Sequence, residues 1–311
     1  MSRIFDALQR SGTEQSGVEY PDMVSVATEV FEAPRRQTPP DRAIAEKAPV
    51  PPPPSLQPRE VQAAVAEIAA ELKPNAAPVE FPSMEVSVTP DSRLVYFTEP
   101  DSLAAEKFRF LGVRLRQLQQ NRPLKKVLIT STIPEEGKSL VSANLAGVLA
   151  QRKQKVLLIE GDLRRPTLSQ QFGLGRLAGL AEWLQSGQQT ASNIYQLGGP
   201  GFWLMPAGDP PANPLELMQS GRLSKLMTQL ATLFDWIIVD SPPLLPLADT
   251  TVWARLTDGT LLVAREGKTQ KAPLLRGMEI LKKSDLLGVV LNGCSESETN
   301  YYQRYAPAAA K

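Results

Sequence analysis

Histidine is absent from all 311 residues. That absence excludes Ser-His-Asp and Cys-His catalysis, His-ligated zinc and imidazole acid–base chemistry. Cysteine is nearly absent too. Cys294 stands alone, so no disulfide can form within the chain, and a reducing compartment suits it. No run of about eighteen apolar residues occurs, so no helical membrane span is expected. The first ten residues, MSRIFDALQR, lack the apolar centre of a signal peptide. A net charge of +1 offers no broad field toward nucleic acid or a membrane surface. These absences predict a soluble intracellular protein with no nucleic-acid partner. Its chemistry must rest on carboxylates, Lys, Arg, hydroxyls and bound metal.

What the chain has in excess is proline, and the excess is local. Half of its 28 prolines fall between Ser11 and Pro90, including the run from Pro51 to Pro54. Such density blocks helices and strands and favours extended polyproline II. Residues 1–90 are therefore predicted to be a disordered Pro-rich arm acting as a tether. Ile4, Phe5 and Leu8 could face one way on a short docking helix at its start. Residues 58–72, alanine-rich with Val61, Val65, Ile68 and Leu72 at helical spacing, could form a transient helix within it.

The informative stretch lies further on. Val127, Leu128 and Ile129 form a short apolar run that predicts a buried strand. Pro134, Glu135, Glu136, Gly137, Lys138 and Ser139 follow. Then Leu140, Val141, Leu145, Val148 and Leu149 recur at helical spacing. Strand, loop, Gly-Lys-Ser and helix make the layout of a phosphate-binding loop. The helix start offers unpaired N–H groups and partial positive charge to phosphate. Lys138 can reach the β/γ-phosphates and the Ser139 hydroxyl can sit on Mg²⁺. One element of the pattern is missing, since Thr132 stands where the standard loop has its first glycine.

Downstream, residues 155–159 predict a strand ending in Glu160-Gly161-Asp162. One helix, one turn and one strand separate Lys138 from Glu160. A right-handed β-α-β unit therefore sets the two strand ends side by side. Glu160 and Asp162 then sit at the carboxyl edge, where ligands bind in open α/β sheets. Residues 236–240 repeat the design, an apolar strand closing on Asp240, a pattern that holds Mg²⁺ opposite a phosphate loop. Further predictions are a strand at 94–97 and helices at 103–120, 213–226 and 270–284. Strands are also expected at 258–264 and at 286–291, the last leading into Asn292. Strands alternating with helices imply an α/β fold, a mainly parallel sheet with helices on both faces. The folded domain is expected over residues 91–295, and 296–311 are expected to be a flexible tail carrying Tyr301, Tyr302 and Tyr305.

From about Asp91 to Tyr305 the chain resembles the bacterial tyrosine kinases of exopolysaccharide and capsule synthesis, in their separate cytoplasmic form. Thr-Ser-Thr-Ile-Pro-Glu-Glu-Gly-Lys-Ser is similar to that family's phosphate loop. Glu160-Gly-Asp162-Leu-Arg164-Arg165-Pro166 resembles its second motif, and Asp235-Trp-Ile-Ile-Val-Asp240-Ser-Pro-Pro its third. A terminal tyrosine cluster completes the likeness. Three positions depart from it. Glu135 replaces a loop glycine, Glu160 replaces an Asp, and Gly112 stands where the family's Glu-x-x-Arg-x-x-Arg helix has its last arginine.

The resemblance implies a P-loop NTPase three-layer fold, ATP and Mg²⁺ as cofactors, and autophosphorylation of Tyr301, Tyr302 and Tyr305. It also implies a transmembrane polysaccharide co-polymerase as activator, ring-like self-association through Glu106 and Arg109, and a cytoplasmic place beside the inner membrane through that partner. Catalytic roles fall to Lys138, Glu160, Asp162 and Asp240. Nucleotide contacts fall to Pro134, Glu135, Glu136, Gly137, Lys138, Ser139, Leu140 and Asn292, and metal contacts to Ser139, Asp162 and Asp240. Either Asp162 or Glu160 would orient or deprotonate the tyrosine hydroxyl. Two other readings stay open. A MinD/ParA-like ATPase switch would carry Lys at the position of Ile133, and a scaffold on an inactive nucleotide fold would explain Glu135 and Glu160.

Overall fold

The computed structural model describes residues 80–294, apart from 87, 91, 92, 187–189, 246 and 283. The expectations for the arm up to residue 79, with its docking helix, and for the tyrosine tail lie outside the described residues.

In chain order the fold begins with β1 (Ser83–Met84), α1 (Val95–Thr98), α2 (Leu103–Asn121), β2 (Lys126–Ser131), α3 (Lys138–Ala150) and β3 (Val156–Glu160). It continues with α4 (Leu168–Gln171), α5 (Leu180–Ser186), β4 (Tyr195–Leu197), β5 (Trp203–Met205), α6 (Pro214–Gln219) and α7 (Arg222–Leu233). It ends with β6 (Trp236–Asp240), α8 (Asp249–Leu256), β7 (Gly259–Arg265), α9 (Lys271–Leu281) and β8 (Leu286–Asn292). The eight strands form one sheet in the order β1-β4-β5-β3-β6-β2-β7-β8. All pairings are parallel except β4 with β5.

Each central strand is buried on both faces, and period-2 alternation divides its side chains between two cores. Val127, Ile129, Trp236, Ile238 and Val263 point to one side, against Leu145 and Leu149 of α3. Leu128, Leu157, Ile159, Ile237 and Val239 point to the other, against Leu226, Leu230 and Trp253. Helix α3 is buried almost throughout because α1 and α2 cover its outer side. Gly147 makes this possible: a Cβ there would lie 2.4 Å from Phe97 Cζ.

Three sequence expectations are corrected. Residues 94–97 make no strand. Val95–Thr98 is a helical turn, closed by Phe97 N–H and Thr98 N–H donating to the Leu94 carbonyl, and Tyr96 is buried. A four-residue apolar run carries no periodicity to separate the two states, and packing decides. The helix predicted over 213–226 is two helices, broken at Ser220-Gly221, where Gly221 has φ +76°. Helices α4, α5 and α8 were not anticipated. The folded body also reaches back into the stretch read as arm. Met84 O accepts from Gly198 N–H at 2.8 Å, Pro82 O accepts from Gln196 N–H at 2.8 Å, and Phe81 packs on Trp203 and Phe234.

Candidate active site

The register of the sheet assembles the site. Ile129 of β2 and Glu160 of β3 both lie opposite Asp240 of β6, so three strand ends share one edge. Gly161 fixes the β3 end there. Its N–H donates to the Asp240 carbonyl at 2.7 Å, its carbonyl accepts from Trp253 Nε1 at 3.2 Å, and a Cβ would meet that indole at 2.9 Å.

From this edge the loop of residues 132–137 folds over the start of α3. Its inner support is Glu136, fully buried, which accepts from Thr132 N–H at 2.7 Å and Ile133 N–H at 3.0 Å. The hydroxyls of Thr132 and Thr269 also donate to it. Thr132 thus takes the standard glycine's place as part of the loop's internal bracing. Glu135 adopts φ +64°, the left-handed region that glycine occupies freely. A side chain there costs roughly 1–2 kcal/mol. The exposed ion pair of Glu135 with Lys268, 2.6 Å, offsets part of it, and Arg265 Nη1 donates to the Glu135 carbonyl at 3.3 Å. The hydrogen bond from Lys268 also holds the Glu135 carboxyl below the usual carboxylate range.

Gly137, at φ +93°, caps α3 and lies against Asn292 at the end of β8. A Cβ on Gly137 would fall 2.0 Å from Asn292 Nδ2. That amide donates to the Glu136 carbonyl at 3.0 Å. Asn292 therefore braces the loop from beneath.

The charged centre follows. Lys138 Nζ lies 3.4 Å from Asp162 Oδ2 and 3.8 Å from Asp240 Oδ2. It also donates to Ser139 Oγ at 3.3 Å. Thr167 Oγ1 donates to Ser139 Oγ at 3.1 Å, and Ser142 Oγ donates to Asp240 Oδ1 at 3.2 Å. Asp240 is fully enclosed. Burial pushes its carboxyl up to about 6, against the pull of Lys138 and Ser139, and the nearby Glu160 and Asp162 charges push the same way as burial. Asp162 turns its other oxygen to the N–H groups of Arg164 and Arg165, 3.2 and 3.0 Å, which fixes its aim.

Glu160 is not brought to this centre. Its carboxylate accepts from Leu168 N–H at 2.6 Å, Ser169 Oγ at 2.9 Å and Ala207 N–H at 3.1 Å. Both oxygens are spent on holding α4 and the chain after β5. Glu106 and Arg109 form an exposed pair on α2, 2.8 Å, and Arg109 also donates to the Pro100 carbonyl.

Sequence reading missed Ser142, Thr167 and Asp249. Asp249, almost wholly buried, holds Arg164 through two bonds of 2.7 and 3.2 Å, and this pairing raises the arginine's pKa. Polar residues on a helix face give little signal until the partner strand is placed.

A cleft of about 1040 Å³ opens above this centre, lined among others by Pro134, Gly137, Lys138, Ser139, Asp162 and Pro243. The donors it offers a cation are oxygens only, which suits Mg²⁺. Among the described residues no three Asp, Glu, Cys or His side chains gather as a ready metal cage. That fits an ion held by one or two carboxylates, a hydroxyl, water and substrate phosphate.

No family model matches the chain. Among curated proteins it is 36% identical over 214 residues to tyrosine-protein kinase YwqD of Bacillus subtilis strain 168, across 68% of this chain and 90% of that one. It is 33% identical over 205 residues to tyrosine-protein kinase etk of Escherichia coli strain K12, across 65% of this chain and 28% of that longer protein. Among solved structures, the kinase domain of Escherichia coli tyrosine kinase ETK superposes with a TM-score of 0.63 at 30% identity, covering 71% of this chain and 86% of that one.

Proposed function

The chain belongs to the bacterial tyrosine kinases, and on that premise we propose that it transfers the γ-phosphoryl group of ATP to Tyr301, Tyr302 and Tyr305 of its own C-terminal tail. The observation that carries the reading is the Lys138 ammonium, set between Asp162 and Asp240 at the first turn of α3.

Phosphoryl transfer needs positioning and charge neutralisation more than covalent chemistry. The loop N–H groups and Lys138 hold the β/γ-phosphates. Ser139 and Asp240, with Asp162 beside them, would hold Mg²⁺, which when bound supplies charge neutralisation at the phosphate oxygens. The tyrosine oxygen forms its bond to phosphorus as the bond to the ADP oxygen breaks. The hydroxyl proton passes to a carboxylate, the only side-chain class of base that this histidine-free cleft provides. Asp162 takes that role, because it lines the cleft while Glu160 is occupied elsewhere. Pro134, Glu135, Glu136, Gly137 and Leu140 contribute to the cradle, and Asn292 acts through Glu136 and Gly137.

The family resemblance supports the wider reading. A transmembrane polysaccharide co-polymerase would activate the protein and bring it to the inner membrane in exopolysaccharide or capsule synthesis. Among the described residues no helix is long and apolar enough to cross a membrane. Glu106 and Arg109 would contribute to self-association. The ATPase-switch alternative lacks its lysine at Ile133.

The test pairs two variants. Lys138→Met should abolish phosphate incorporation from ATP·Mg²⁺ with an unchanged far-UV circular dichroism spectrum. The triple Tyr301, Tyr302, Tyr305→Phe variant should lose most label by mass spectrometry. Full labelling of the first would refute the site, and undiminished labelling of the second would refute the acceptors.

A further inference from the structure

Four cations line the cleft: Arg93, Lys138, Arg164 and Arg165. Two of them are neutralised locally. Lys138 faces Asp162 and Asp240, and Arg164 is bound twice by Asp249. Glu135, the remaining acid on the rim, is held by Lys268 at 2.6 Å. Arg93 and Arg165 are exposed, and neither has an ion-pair partner among the described residues. The mouth of the cleft therefore carries two positive charges outside any ion pair among the described residues, Arg165 adding only a longer-range pull on the Glu135 carboxylate. Gln171 lines the same cleft, and its Oε1 is buried without a hydrogen-bond donor. A buried acceptor in that condition favours the arrival of a donor. Leu140 adds apolar surface to the same cleft.

Two tyrosine segments carry acids upstream, the one at Tyr20, with Glu14 and Glu19 six and one residues before it, and the tail. Glu296 and Glu298 stand five and three residues before Tyr301, in Ser-Glu-Ser-Glu-Thr-Asn-Tyr-Tyr. We infer that Arg93 and Arg165 select acidic tyrosine segments, reading the carboxylates upstream of the acceptor while Gln171 and Leu140 receive the acceptor's neighbourhood. This inference rests on the tail tyrosines being acceptors and adds the rule by which the cleft chooses them. Charge matching of this kind acts on encounter and binding, is weakened by salt, and penalises a like-charged competitor. A tyrosine flanked upstream by lysines would be refused.

The experiment uses the full chain with Tyr301, Tyr302 and Tyr305 replaced by Phe, so that its own tail does not compete. Two peptides of residues 294–305 serve as substrates, one native and one with Glu296→Lys and Glu298→Lys. The native peptide should show a KM lower by about tenfold or more, rising with added salt, as expected for two screened charge contacts. Introducing Arg93→Glu and Arg165→Glu into the enzyme should reverse the order, so that the lysine peptide is preferred. Simple damage to the fold would lower both and would not cross them. Equal KM values for the two peptides, or no reversal in the charge-swapped enzyme, overturn the selection rule while leaving the tail as acceptor. A KM for ATP that rises as much as that for peptide assigns the arginines to nucleotide and also overturns it. Failure to label either peptide, with phosphate still entering the chain elsewhere, refutes the tail reading itself.

Discussion

Asp240 is a carboxyl whose burial can be read out by pH. In the folded chain its pKa is raised from the ordinary 3.8 to about 6. Below 3.8 the folded and unfolded states both hold the proton. As pH rises, the unfolded state releases it first, so the stability it contributes falls and is lost once pH passes about 6. Above that, the ionised carboxylate sits enclosed at a cost of about 3 kcal/mol, from roughly two pKa units. Asp240→Asn never ionises. In EDTA, its melting temperature should exceed that of the parent at pH 8, and the gap should narrow as pH falls through about 6 and close near the unfolded pKa of 3.8. A gap independent of pH would contradict the placement. Glu160 makes the opposite kind of prediction. Three donors converge on its two oxygens, so Glu160→Gln turns an N–H group toward a donor. The loss should be about 1–3 kcal/mol in a urea titration. An unchanged midpoint would show that its bonds do not hold α4.

Helix α2 carries the departure that the sequence left hardest to weigh. Gly112 occupies the position where the family has an arginine, and it is buried against α3. A Cβ there would approach Val148 Cγ1 to 2.5 Å. The glycine is thus a helix–helix contact. Gly112→Arg should cost at least 1–3 kcal/mol by overpacking and should not raise the mass seen in light scattering. A larger assembly of undiminished stability would reverse that conclusion. What could be read in advance was governed by periodicity and charge. Residues 126–131, 156–160 and 236–240 are short apolar runs set apart by a helix-length stretch and polar turns, so strand positions, and hence the placing of Lys138, Asp162 and Asp240 at one sheet edge, could be read from spacing. The aim of Glu160 could not, since direction depends on the donors offered by Leu168, Ser169 and Ala207, remote in sequence. The short helix Val95–Thr98 escaped for a related reason: its stability comes from Tyr96 and Phe97 packing on α3, and four residues cannot declare that by themselves.

The sheet as a whole sets the limits of the folded body. Strand β1 is only two residues long, but Met84, Val86 and Val88 alternate in sequence and pack on the core that α3 also lines. That period-2 signal was legible and was obscured by the prolines around it. Limited proteolysis followed by mass spectrometry should therefore leave a resistant fragment whose start precedes Phe81. A fragment starting at 91 would show that β1 adds nothing to protection. Loss of Phe81 would leave Trp203 and Phe234 without one of their ring neighbours.

The far end of the same sheet has a mechanical meaning. Strand β8 finishes at Asn292, and the Asn292 side chain is hooked on the Glu136 carbonyl while resting against Gly137. Everything C-terminal to that point is thereby tethered to the chain at the floor of the phosphate loop. A load applied to the tail from outside would be borne at Asn292 by this hook together with the last bond of the β7–β8 ladder, where Glu266 N–H donates to the Asn292 carbonyl at 2.9 Å. Grip on the tail and grip on a nucleotide would then be two ends of one lever, with its fulcrum two residues before Cys294.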